Sequence, residues 1–77
     1  MDKNIIVEEI KENYHKITYK GKIFGIVEHR RVYGNKYYYA HIGPVAAEYN
    51  TFEDAVSHLF WRNGYTIARA NELAGIK

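Results

Sequence analysis

The chain has 77 residues, 47% of them hydrophobic, with 11 Lys/Arg against 9 Asp/Glu, a net charge of +2 and no cysteine. That length holds one domain, residues 1–77, burying only roughly 60–65% of the surface its unfolded chain exposes, and the lack of thiols excludes a disulfide staple or a thiolate metal site. No run approaches the ~20 apolar residues of a membrane helix and none follows a basic start as in a signal peptide, so a cytoplasmic protein is expected, monomeric or homodimeric, with no membrane partner.

In chain order, the first segment is NIIVEEIKENY. Ile6, Val7, Ile10 and Tyr14 recur at helical spacing, with Glu8, Glu9, Lys11 and Glu12 opposite them. This predicts a short N-terminal helix capped by Asn4 or Asp2. The β-branched run Ile5-Ile6-Val7 leaves an extended reading open. Next, HKITYKGKIFGIVEHRR alternates and is rich in β-branched and aromatic residues, a hairpin turning at Lys20-Gly21-Lys22. A third strand, KYYYAHI, follows the turn VYGN, where Gly34 and Asn35 are expected to supply positive φ. Gly43-Pro44 ends it, because proline cannot donate to a ladder. VAAEY is a short fourth strand or a loop.

YNTFEDAVSHLFWRNG carries the strongest local pattern. Phe52, Ala55, Val56, Leu59 and Phe60 form one apolar stripe. Thr51 caps with Asp54 at the third helical position, or Asn50 with Glu53, and Gly64 stops the helix after Asn63. Trp61 is expected to be partly buried at the core's edge. A last helix, TIARANELAG, has Thr66 as cap, Gly75 as stop, and Ile67, Ala70, Leu73 and Ala74 as its apolar side. The predicted fold class is α+β: a three- to four-stranded antiparallel meander with helices packed on one face, order α-β-β-β-(β)-α-α.

Strand alternation sorts residues onto two faces. With Tyr19 opposite Ile23 and Arg31 opposite Lys36, one face collects Ile17, Tyr19, Ile23, Gly25, Val27, Tyr38, Ala40 and Ile42. The other collects Lys16, Thr18, Phe24, Ile26, Glu28, Arg30, Tyr37, Tyr39 and His41. The first set is the expected core, with Gly25 and Ala40 as small residues facing one another under the helix.

Charge is unevenly placed. Residues 14–47 hold six Lys/Arg against the single acid Glu28, a net +5, while residues 1–13 carry −2 and residues 48–77 carry −1. Such clustering makes a local positive potential. Beside the cations stand exposed-side tyrosines, whose rings stack on bases while the cations neutralise phosphates. The expected binding residues are therefore Lys16, Arg30, Arg31, Lys36, Tyr37, Tyr39 and His41. The expected function is a small non-enzymatic nucleic-acid-binding module, DNA ahead of RNA. The alternative is an inhibitor or adaptor that docks the same face on an acidic host protein, since Tyr and Arg are enriched at protein hot spots.

Signals for chemistry are sparse. The four histidines (His15, His29, His41 and His58) show no helical i, i+4 pair, so no metal is expected. Glu53 and Asp54 serve a helix start, and no glycine loop precedes a helix at phosphate-binding spacing. No catalytic residue or cofactor is expected. The linker NGY between the last two helices mimics a helix-turn-helix, but Arg69 alone would be its basic reader.

The segment from Arg30 to Phe60, RRVYGNKYYYAHIGPVAAEYNTFEDAVSHLF, resembles the three-stranded-sheet-plus-helix layout of integrase arm-type DNA-binding domains, with TFEDA matching their T-x-x-x-A helix start. The resemblance implies a sheet laid in the DNA major groove and read out by Arg30, Lys36, Tyr37 and Tyr39. The element order is also similar to that of the double-stranded-RNA-binding domain, without that family's basic KKxAK helix start. In size and style the chain is similar to small proteins of phages and mobile elements, many of which block a host CRISPR effector or polymerase.

Overall fold

Five strands pair in chain order, each antiparallel to the next, and two helices follow them. They are β1 (Ile5–Lys11), β2 (Tyr14–Tyr19), β3 (Lys22–Val32), β4 (Asn35–Ile42), β5 (Val45–Tyr49), α1 (Phe52–Arg62) and α2 (Ile67–Ala74). The structure is a computed structural model and describes residues 1–76. The fold is small α+β with an antiparallel meander, as expected, but the sheet has five strands rather than three or four and, among the described residues, no helix precedes it. Among the described residues no helix is long and apolar enough to cross a membrane.

The predicted N-terminal helix is instead the edge strand β1, paired with β2 from Ile5 opposite Tyr19 to Lys11 opposite Tyr14. The cause is twofold. Three consecutive β-branched residues favour the extended chain, and a short helix is unstable unless its apolar face is buried. One side of the sheet is already covered by α1 and α2, and the other carries the polar row around Glu28, so neither offers a short helix an apolar surface. The Asp2 amide donates to the Leu73 carbonyl (2.8 Å), which anchors the strand's start against the end of α2.

The first β2–β3 turn also differs from expectation. Lys20 (φ 50°) and Gly21 (φ 82°) form a two-residue turn, and Tyr19 pairs with Lys22 rather than Ile23. Two residues at positive φ match the twist of the flanking strands better than a looser loop. The extra residue is absorbed as a bulge at Phe24, after which Ile17 opposes Gly25 as predicted. The bulge exchanges two side chains. Phe24 goes inward (5% exposed) and Ile23 goes out (60% exposed), the reverse of the expected assignment. At the next hairpin the register is the predicted one, Arg31 opposite Lys36, but Tyr33 (φ 50°) and Gly34 take the positive φ, not Asn35.

The helices cap as their sequences indicate. Thr51 Oγ1 accepts from the Asp54 amide and Thr66 Oγ1 from the Arg69 amide, while Gly75 closes α2 in the left-handed conformation. Ile17, Val27, Ala40, Val56, Leu59 and Phe60 are fully buried between sheet and α1, and Ala70, Leu73 and Ala74 seal the core from α2. Ile67, expected on that apolar side, is 61% exposed. One end of the core is a cluster of four rings. Phe60 lies 4.7 Å from Phe24, 5.0 Å from Tyr19 and 5.3 Å from Tyr65, in the tilted and edge-on arrangements that aromatic pairs prefer.

At Gly25 α1 comes down close onto the sheet. It lies opposite Ile17, while Ala40 lies opposite Val27, so the two small residues are diagonal neighbours rather than facing ones. A Cβ at Gly25 would stand 2.7 Å from both the His41 carbonyl oxygen and Leu59 Cδ2, at φ +152°. Gly25→Ala is therefore expected to cost about 2–3 kcal/mol through overpacking. In a domain this small, that lowers the midpoint of a thermal melt followed by circular dichroism by roughly 10–20 °C. An unchanged melt would refute the close approach.

Candidate functional site

The helices cover one side of the sheet, leaving the other uncovered. Across β2, β3, β4 and β5, Tyr14, Glu28, Tyr39 and Glu48 stand in one row, with Lys16, Ile26, His41 and Ala46 in the next. At the centre is Glu28, whose side chain is only 8% exposed. Arg30 donates to both its oxygens, from Nε at 3.1 Å and Nη2 at 3.0 Å. His41 donates from Nε2 at 2.8 Å, because an ionised carboxylate only accepts. The Arg30 guanidinium lies 4.4 Å from the Tyr39 ring centre, and the Tyr39 hydroxyl donates to Glu48 at 2.7 Å. This bond holds the Tyr39 phenol above its ordinary pKa.

Burial alone would raise the pKa of Glu28. The bonds from His41 and Arg30, with the Arg30 charge and the neighbouring Tyr14 hydroxyl, outweigh it and hold the carboxyl below its usual range. Glu28 is therefore an anion that neutralises the positive groups nearest it.

The seven residues predicted for binding fall into two groups. Lys16, Arg30, Tyr37, Tyr39 and His41 share the uncovered face, but most are already engaged. Lys16 Nζ pairs with Glu8 at 3.0 Å, and Arg30, His41 and Tyr39 are held as described. Lys11, Lys16 and Arg30 meet Glu8, Glu28 and Glu48 on this face, three cations against three acids. The expected basic surface is thus charge-balanced. Tyr38 points to the helix side, stacked on His29 and edge-on to Phe52.

Arg31 and Lys36 are placed elsewhere. By alternation from His29 and Tyr38 they share the helix side of the sheet, but beyond the helices. Every residue from Arg30 to Lys36 is exposed, and Tyr33 at the tip is fully so. The outer part of the β3–β4 hairpin is therefore a free two-stranded ribbon. Arg31 and Lys36 are directly opposite each other on it. Like charges so placed repel, and among the described residues neither has an acidic partner.

Sequence reasoning missed Glu28 as an organiser, together with Tyr14 and Glu48. The available signal was that Glu28 is the single acid among six cations. It also missed a cavity against the helices, lined by Tyr49, Asp54, His58 and Trp61 among others. Among the described residues no three His, Asp or Glu side chains converge as metal ligands. Compared with known proteins, the chain matches no family model, no curated protein and no solved structure.

Folded Glu28 binds a proton less readily than in the unfolded chain. Its contribution to stability is complete above the unfolded value near pH ~4.3 and is lost as pH falls through the lower folded value. Glu28→Gln should cost about 1–3 kcal/mol at pH 7, where the pairing is lost in a nearly buried place. Urea unfolding of the variant between pH 5 and 3 should then show a shallower loss of stability than wild type (these pH values bracketing the ~4.3 reference). Parallel pH curves would show that Glu28 is not the titrating group.

Proposed function

We propose that the chain is a small, non-enzymatic nucleic-acid-binding module that engages duplex DNA, ahead of RNA, through the β3–β4 arm from Arg30 to Tyr37. The observation that carries this reading is the unpaired Arg31–Lys36 opposition on an exposed ribbon. Two cations held face to face without an acid repel in the free protein, and a polyanion relieves that repulsion. The major groove of B-DNA admits a two-stranded ribbon. Phosphate contacts from Arg31 and Lys36 would position the arm. Tyr37, opposite Arg30, and Tyr33 at the tip offer rings beside those cations. The resemblance to integrase arm-type domains supports the same use of a hairpin in the groove. The reading differs from the sequence expectation in where the contact lies: the sheet face, Arg30 included, has spent its cations on Glu28, Glu8 and the neighbouring tyrosines, whereas Arg31 and Lys36 on the arm have no acidic partner among the described residues.

A second reading, an adaptor or inhibitor that docks on a host protein, is favoured by the uncovered face itself. That face is charge-balanced and carries Ile6 and Ile23 at 59% and 60% exposure. Such a face suits a protein better than a polyanion, because bringing a polyanion onto Glu8 and Glu48 is repulsive.

Fluorescence anisotropy with a labelled duplex between about 50 and 200 mM salt separates the two. Wild type should bind with an affinity that falls steeply with salt. Arg31→Ala combined with Lys36→Ala should reduce the slope of log K against log salt by about 2, one for each phosphate contact. Lys16→Ala should leave it unchanged. No binding at the lowest salt, or a slope indifferent to the double substitution, would overturn the DNA reading and leave the protein-docking one.

A further inference from the structure

The cavity between β5, α1 and α2 is independent of the arm. It measures about 270 Å³, just under the roughly 300–1,000 Å³ of sites for drug-sized ligands and so of a size for a single side chain or a compact molecule. Its walls are fixed by two hydrogen bonds. Ser57 Oγ donates to Asn71 Oδ1 at 2.6 Å, tying α1 to α2. The Tyr49 hydroxyl and His58 Nδ1 are 2.7 Å apart, tying β5 to α1. Burial, then the nearby Asp54 charge, raises the Tyr49 phenol above its ordinary pKa. Burial, then Arg62, lowers that of His58. A protonated phenol facing a neutral imidazole means that Tyr49 donates to Nδ1 and the ring proton sits on Nε2.

Two features of this cavity go beyond what the helix itself needs from Asp54 in its first turn and from Trp61, over whose ring Arg62 lies at 5.9 Å. Trp61 and Ile67 line it while remaining 45% and 61% exposed, large apolar groups at its mouth. Trp61 is held edge-on to His58, ring centres 5.5 Å apart. Asp54 also lines the cavity, and among the described residues its carboxylate has no cationic partner. Asp54 is the single charged residue of the lining. A lone carboxylate beside an indole face and apolar walls selects a flat organic cation with an apolar stem. The guanidinium meets this description best, since it stacks on aromatic rings and takes a carboxylate bidentately.

We propose that this cavity binds a guanidinium group, seated against Trp61 and paired with Asp54, with Ile67 packed on its alkyl stem. The chemistry is shared by an arginine side chain of a partner protein and by a free alkylguanidine.

Trp61 is the sole tryptophan, so its fluorescence reports occupancy directly. With the full chain at low salt, n-butylguanidinium should give a saturable change. The neutral isostere n-butylurea should bind at least tenfold more weakly. Asp54→Asn should weaken n-butylguanidinium binding about tenfold while circular dichroism shows an intact fold. An arginine-centred tripeptide with blocked ends distinguishes the sources: tenfold tighter binding than n-butylguanidinium points to a protein arginine, and equal binding to a free small cation. No saturable change at millimolar probe, equal binding of n-butylurea, or indifference to Asp54→Asn would overturn the proposal. The isostere comparison needs no variant, so the proposal stays testable even if Asp54→Asn destabilises α1.

Discussion

Strand β3 outruns the helices that cover it. Eleven residues of strand extend roughly 33–36 Å, while the eleven residues of α1 extend only about 16 Å, so α1 cannot run the length of the hairpin. Where α1 lies over the sheet, the contact is dense: Gly25 lets Leu59 come down onto the backbone, and Phe24, Tyr19, Phe60 and Tyr65 close one end. Beyond it, among the described residues, nothing covers the chain, and from Arg30 to Lys36 every residue is exposed. The same length mismatch thus creates a core at one end and a protruding basic arm at the other. In a domain whose core supplies only about 3–5 kcal/mol, an uncovered arm of repelling cations is a standing cost without an evident structural return.

Electrostatics then divides the basic third of the chain into two populations. Glu28 is held nearly buried on the open sheet face, where an unpaired carboxylate is costly. It recruits Arg30 and His41 to offset that cost, and Arg30 in turn lies over Tyr39, whose hydroxyl is fixed by Glu48. This network orders the face but spends its charge. Arg31 and Lys36 point the other way and lie outside the network. A net charge of +5 over residues 14–47 therefore says less about binding than the partition between cations that are matched and cations that are not.

Much of the fold was legible because it rests on local chemistry. Thr51, Thr66, Gly64 and Gly75 mark helix ends by the orphan amides and carbonyls they satisfy or release, and the stripe from Phe52 to Phe60 needs only helical periodicity. The pairing of Arg31 with Lys36 follows from the tight turn between them. What failed depended on longer-range competition. Residues 5–11 have both helical and strand character, and the free edge of β2, which the local sequence does not reveal, takes them up as a strand. Ile23 and Phe24 changed places because a two-residue turn was preferred and a bulge absorbed the difference, a one-residue matter that flips side chains between faces. At the site, Lys16, Arg30, Tyr37, Tyr39 and His41 were placed correctly on one face, but the hydrogen bonds that occupy most of them were invisible without knowing that Glu28 sits between Tyr14, Arg30 and His41. Ile67 showed a helical apolar stripe and turned out to line a cavity mouth instead.

On the proposed function the arm, and not the sheet face or the helices, meets nucleic acid. Amide resonances of the isotope-labelled protein titrated with a short DNA duplex at low salt test it most directly. Shifts concentrated from Arg30 to Tyr37, with the amides of α1 and α2 still, are expected. Shifts centred on the helices or on the β1–β2 part of the sheet, or a spectrum unmoved by duplex, would contradict it.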